Sequence, residues 1–423
     1  MNSLFLTVGE KIRQARQQFN LKQGSFRNFG ITQHYLSMIE TNKRQAPEQT
    51  LRDIYDAFIN LTNGEIESFY TFEEFCLPIE LQVSRWLDQQ LNSETLPQRY
   101  EELMLIVEKY SLGEYMIFID ERMGEYYFKA QDYSMMAYYY RRAIGNSRKF
   151  SLNPSSLYFE FGRRLRKIGK YDEAVLVLSL AFLVAKELSP DSLLVCDAQI
   201  YLALTYHRMK EYRLGLEVVN ELLKNKDNLK EGRYVGTLIV KELCMRRLEG
   251  AEKSRKYLYE LLDSDILNQF PSFSHYVYHS LGWNYLESQK YEKALEALQK
   301  ALPLRPKQLD KAITTLLIGR IYFEIGQYEE AQKYYSETKE TILMSESLRT
   351  KLLWIDEQLD LYCKLNQIHQ VKELFIELKS LVDIDKFPES MLYELKTSMY
   401  KRFEGLSSLR REEYLFLYNF FAS

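Results

Sequence analysis

The sequence predicts an all-α protein, a small helical head followed by a long array of paired helices. Three observations lead there. Glycine (17) and proline (9) are scarce for 423 residues, which leaves too few tight turns for an all-β fold. Apolar residues recur at helical spacing along the chain. One register of small, aromatic and apolar residues also repeats through most of its length. Hydrophobic residues make up 46%. The chain can therefore bury a large core, but it is too long for a single compact one. The expected organisation is a head at 1–62, connecting helices or degenerate repeats at 63–115, and the repeat array at 116–423.

The repeat is clearest in LGWNYLESQKYEKALEALQKALPLRP, residues 281–306. Here Leu281-Gly282 is followed by Tyr285, Tyr291, Ala294, Leu298, Ala301 and Pro306. Gly282 and Ala294 are small where the two helices of a pair would cross. Tyr285, Leu298 and Ala301 are expected to fill the seam to the next pair, and Pro306 to end the second helix. The same register runs through Met123-Gly124, Phe161-Gly162, Leu202-Ala203 and Ile318-Gly319, with a weaker copy at Leu359, Tyr362, Val371, Phe375 and Leu378. The small positions 124, 162, 203, 282 and 319 lie 38, 41, 79 and 37 apart. The double interval predicts a degenerate copy near 233–262. These spacings match the tetratricopeptide-repeat (TPR) signature, whose period is about 34 residues. The resemblance implies a right-handed superhelix with a concave binding groove. Residues 386–421, ending in REEYLFLYNFF, read as a further helix pair.

In the head, VGEKIRQARQQFN places Val8, Ile12, Ala15 and Phe19 on one helical face. Leu21-Lys22-Gln23 opens a second helix. Gly30-Ile31-Thr32 is a turn with Thr32 as N-cap. QHYLSMIE (33–40) is a third helix, and the stretch after Pro47 a fourth. This order resembles the helix-turn-helix of the Xre and lambda-repressor class, in the string LKQGSFRNFGITQHYLSMIETNKRQAPEQTLRDIYDAF. It departs in carrying Arg27 where a small residue is usual, and in a shorter inter-helix segment. The resemblance implies that Gln33, His34 and Ser37 face DNA bases, with Thr32 close to the backbone. Lys22, Gln23, Arg27, Lys43 and Arg44 would meet phosphates.

Residues 1–60 carry eight basic and five acidic groups, a net +3 against −3 for the chain, so the rest is −6. A basic head on an acidic body is the asymmetry expected when only the head meets nucleic acid. It also predicts an acidic groove. The four cysteines, Cys76, Cys196, Cys244 and Cys363, are far apart and suggest neither disulfides nor zinc. The N-terminus reads as neither signal peptide nor membrane span, so a cytoplasmic protein without membrane contact is expected. No Gly-rich phosphate loop, metal cluster or nucleophile elbow appears, and the five histidines are dispersed. The expectation is a non-enzyme with no cofactor and no metal.

A short Xre-type head followed by TPR-like repeats resembles the RRNPP regulators of Gram-positive bacteria, in length and repeat number most closely the NprR-like branch. That resemblance implies a quorum-sensing regulator. A short signalling peptide would bind the concave groove and change DNA affinity or oligomeric state, and the protein would be a homodimer or higher homo-oligomer. Two alternatives stay open: a regulator that binds a sporulation response regulator and promotes its dephosphorylation or sequesters it, and a generic TPR scaffold. Positions three before, one after and four after each small residue are expected to face the groove. They include Arg163, Arg166, His207, His279, Trp283 and Arg320. Arg163, Arg166 and Arg320 are suited to hold a peptide carboxylate by paired hydrogen bonds. His279 and Trp283 are suited to form an apolar pocket. Asn284 falls one step off the inward line.

Overall fold

The computed structural model describes residues 5–91, 95–224 and 229–381, together with 397. All regular elements among them are helical. The expected helix pair at 386–421 lies outside the described residues, except for helical Thr397. The chain forms two compact units, residues 1–123 and 124–423.

The first unit begins with α1 (Val8–Gln18), a 3-10 turn (Gln23–Phe29), α2 (Gln33–Glu40) and α3 (Glu48–Thr62). Thr7 and Glu10 cap α1 reciprocally: Glu10 N donates to Thr7 Oγ1 (3.2 Å) and Thr7 N to Glu10 Oε2 (2.8 Å). Thr32 caps α2 by accepting from Tyr35 N. The expected second helix is a 3-10 turn that ends at Gly30, whose φ of 80° sits in the left-handed region open to glycine. The core joins Ile12, Phe26, Leu36, Ile54 and Phe58, but also Ile66 and Phe75. The short helices α4 (Ile66–Phe69) and α5 (Phe72–Cys76) are therefore part of the head, beyond residue 62. Lys11 Nζ, which donates to Leu77 O at 3.0 Å, and Tyr55 Oη, which donates to Tyr70 O at 2.7 Å, fasten this segment. Where α1 passes α2, a Cβ on Gly9 would lie 2.0 Å from Ile39 O, so only glycine permits that approach. Helices α6 (Ile79–Gln90), α7 (Leu96–Lys109) and α8 (Gly113–Lys129) follow, with Tyr100 donating to buried Asp120 at 2.9 Å.

The second unit is a succession of antiparallel pairs. After α9 (Tyr133–Lys149) come α10 (Ser155–Lys167) with α11 (Tyr171–Leu188), and α12 (Leu193–Arg208) with α13 (Tyr212–Lys224). Next are α14 (Glu231–Glu249) with α15 (Ala251–Leu262) and the short α16 (Asp265–Gln269). The last are α17 (Ser274–Glu287) with α18 (Tyr291–Ala301), α19 (Gln308–Glu324) with α20 (Tyr328–Leu343), and α21 (Leu348–Lys364) with α22 (Ile368–Leu381).

The same contact closes four of the pairs. A Cβ on Gly282 would lie 2.3 Å from Leu298 Cδ2; Gly124 stands likewise against Tyr140, Gly162 against Leu178 and Gly319 against Tyr335. The offset is sixteen residues each time, the distance from the small site over the turn to the facing helix. Leu298 thus packs inside its own pair, not in the seam to the next one as the spacing predicts. In six of the pairs the turn bends at a left-handed residue seven after the reference position, at Gln131, Gly169, Lys210, Gln289, Gly326 and Asn366, and in α14–α15 at Gly250, eight after it. The helix of the clearest repeat also stops earlier than expected. After Ala301 it tightens into a 3-10 turn, Leu302–Leu304, containing Pro303, so Pro306 falls beyond its end.

The degenerate copy is the pair α14–α15. Sixteen residues before its buried Leu258 stands Glu242, fully buried where five other pairs carry glycine or alanine. Ser254 Oγ donates to Glu242 Oε1 at 2.6 Å. Burial pushes the Glu242 carboxyl above the usual carboxylate range.

Candidate functional site

Two surfaces gather the residues expected to meet ligands. In the head, Thr32, Gln33 and His34 are exposed and Ser37 is half-buried, at the N-cap and along the first turns of α2, whose Leu36, Ile39 and Glu40 are buried. Lys22, Arg27, Lys43 and Arg44 are exposed, and the Arg44 guanidinium lies 4.9 Å over the Tyr35 ring. Gln23 is placed differently. It is half-buried and its Nε2 donates to Glu40 Oε2 at 2.8 Å, so its amide braces the head from within. The same carboxylate takes a two-point grip from Arg16, with Nε to Oε1 at 2.7 Å and Nη2 to Oε2 at 3.0 Å. These bonds fix the C-terminal end of α2 against α1.

The repeat unit holds a cavity of about 700 Å³. It brings together Arg166, His207, His279 and Trp283 of the expected groove residues. Arg163 does not line it. Its Nη1 donates to Glu160 Oε1 at 2.6 Å, and its guanidinium stands 5.5 and 5.2 Å from the Phe159 and Tyr201 rings. Arg320 lies in an adjoining cavity of about 430 Å³, held by Glu324 (2.7 Å), Glu357 (3.2 Å) and Asp360 (2.5 Å). Three carboxylates already claim that guanidinium, so it is not poised for a fourth. Trp283 lines both cavities. Asn284 is fully buried and fully engaged: its amide donates to Ala251 O and Ser254 Oγ and accepts from Arg255. It is a core residue.

The expected acidic groove is corrected here. The larger cavity is lined by seven cations (Arg166, Lys167, Arg208, Arg246, Arg247, Arg305 and Arg349) against Asp310 and Asp356. The body's net negative charge therefore sits elsewhere. Several cationic atoms are buried without a hydrogen bond: Nε of Arg166 and Arg305, Nε and Nη1 of Arg246, and Nε2 of His207. Arg246 lies 3.5 Å from Glu242 Oε1 and 3.8 Å from Glu287 Oε2, near enough for attraction but not for directed bonds. The histidines feel this field. Burial, then the charges of Arg208, Arg246, Arg247 and Arg349, brings His207 down to about 4. Burial, then Arg305 and Arg246, holds His279 well below the ordinary imidazole value. Both are neutral at neutral pH.

The sequence reading missed Arg246, Ile239 and Leu243. With position 242 as reference, the inward rule selects these three, and all three line the cavity. The signal was present, but the reference residue was a glutamate where a small residue was sought.

Among known proteins, the tetratricopeptide-repeat family matches residues 275–308 and 316–337. No curated protein sequence matches the chain. A solved structure of NprR in complex with its cognate peptide NprX is similar over 81% of this chain and 98% of that one, at 15% identity and a TM-score of 0.49. The apo form of the quorum sensor NprR from B. thuringiensis covers 81% and 99%, at 16% identity and a TM-score of 0.44. A thermophilic TPR protein of Thermus thermophilus covers 48% and 99%, at 21% identity and a TM-score of 0.37. The chain carries TPR repeats, and no helix among its described residues is long and apolar enough to cross a membrane.

Proposed function

We propose that this protein is a peptide-responsive DNA-binding regulator. The exposed side of α2 reads a DNA site, and the groove of the repeat unit binds a short peptide whose occupancy changes DNA affinity or oligomeric state. The observation that carries the reading is the cavity at Arg166, Arg246 and Arg305. It is concave, roughly the size of a small-ligand pocket, walled in part by Trp283, and lined by these three guanidinium groups, each with a buried nitrogen that lacks an acceptor. Side chains so placed answer a partly apolar ligand that carries an anionic group, and a short peptide supplies one in its C-terminal carboxylate. For the head, the supporting features are the exposure of Gln33 and His34 on one side of a short helix, with exposed cations nearby in sequence.

Electrophoretic mobility shift of the full-length protein on fragments of its source genome tests the reading. The expected result is sequence-selective binding that weakens steeply with salt. Replacing Gln33 and His34 with Ala should remove selectivity while leaving the thermal midpoint within about a degree or two, because exposed substitutions change stability by about 0.5 kcal/mol or less. Absence of selective binding both with and without a pooled short-peptide library would refute the DNA-reading half.

A further inference from the structure

Along the middle of the array the charge changes sign. In the five pairs from α10–α11 to α19–α20, the residue five after the reference position is Lys167, Arg208, Arg247, Glu287 and Glu324, and the flanking pairs carry Lys129 and Lys364 there. Three cations are followed by two carboxylates. The cavities follow the same order: the larger has seven cations and two carboxylates, the smaller five carboxylates around Arg320. They meet at Trp283, Leu353 and Asp356.

The cationic end is where an acceptor is missing. Arg246 and Arg305 are 8% and 7% exposed, both line the larger cavity, and each has a buried Nε with no hydrogen bond. Arg246 is drawn toward Glu242 and Glu287 but bonded to neither in a directed way. A carboxylate offers two parallel acceptors that match the guanidinium fork.

Resting on the peptide reading above, we propose that the groove takes its peptide in one orientation, the C-terminal carboxylate seated against Arg246 and Arg305 and the N-terminal end extending past Trp283 toward Arg320. The acidic cavity acts by exclusion. A carboxylate end laid beside Glu287, Glu324 and Asp360 meets like charge, whereas an ammonium does not, so the reversed pose is disfavoured. The peptide class that follows has a free C-terminus, apolar middle residues against Trp283, and no acidic residue near its N-terminus.

The test uses the wild-type full-length protein, immobilised, with three forms of one random heptapeptide library: both ends free, C-terminally amidated, and N-terminally acetylated. Recovered peptides are read by mass spectrometry. The expected result is a loss of about tenfold or more in recovery on amidation, equivalent to about 1.4 kcal/mol, a smaller loss on acetylation, and depletion of Asp and Glu from the first three positions. Arg305→Gln should abolish the amidation effect. Equal recovery of free and amidated peptides, or acidic residues enriched at the N-terminal end, overturns the orientation while leaving peptide binding in place. Recovery no better than a blank support in all three forms removes the peptide reading and the orientation with it. The wild-type comparison decides the matter even if the variant does not fold.

Discussion

His207 is buried among the cations of the cavity it lines. Burial, and after it four arginines, hold it down to about 4 from an ordinary 6.5, so the folded protein binds fewer protons there than the unfolded chain between those values. The stability this contributes is complete above about pH 6.5 and is lost as pH falls through 4. The expected loss is on the order of 2 kcal/mol, read as a fall in thermal midpoint from pH 7 to pH 4. His207→Gln should flatten that fall, and an unchanged slope would assign the acid sensitivity to other groups. At Glu40, removal of its partner by Arg16→Met leaves a buried carboxylate holding only Gln23. A cost of about 3 kcal/mol is expected, measured by chemical denaturation of the head. Glu40 was legible in the sequence as the end of the third helix. Its dependence on Arg16 was not, because a pair separated by 24 residues leaves no periodic trace.

At the scale of an element, the closing contact of each helix pair makes opposite predictions for two glycines. Gly282→Ala drives a methyl into Leu298 and should cost about 2 kcal/mol, as overpacked cores do. Gly145, inside α9, has open space where its Cβ would be, so Gly145→Ala should stabilise by about 0.5 kcal/mol through helix propensity. Thermal midpoints moving the same way in both variants would contradict this account. The pairs were largely legible because glycine or alanine recurs beside aromatics at fixed intervals. The pair α14–α15 was located but not registered. Its Glu242 occupies the small site and is tolerated because Ser254 at the facing small position bonds it. A pattern search for small residues cannot see a polar pair that fills the same space.

Over the whole molecule, charge was the least legible property. Composition reports the sum, −3, and its division along the sequence, but a groove selects particular positions from each helix. Arg166, Lys167, Arg208, Arg246 and Arg247, at the fourth or fifth position after three of the references, converge on the cavity, while the excess acid lies elsewhere. For the head, the helix order could be read from apolar spacing and caps, but the inclusion of Ile66 and Phe75 in its core could not. They follow a helix end at Thr62 that reads as a boundary, and only tertiary packing carries the core past it.

The sixteen-residue closure also bears on how such a chain can change length. Each pair is locked by residues that both belong to it, so excising the stretch from Gly282 to Ile318 and joining Leu281 to Gly319 would leave every other lock intact. Recombination between equivalent positions therefore shortens or extends the array by whole modules without rebuilding a core. Each such event would also move one rung of the groove's charge ladder, so that, on the peptide reading proposed above, the preference for ligand length and polarity can be rewritten by duplication or loss before a single side chain is exchanged.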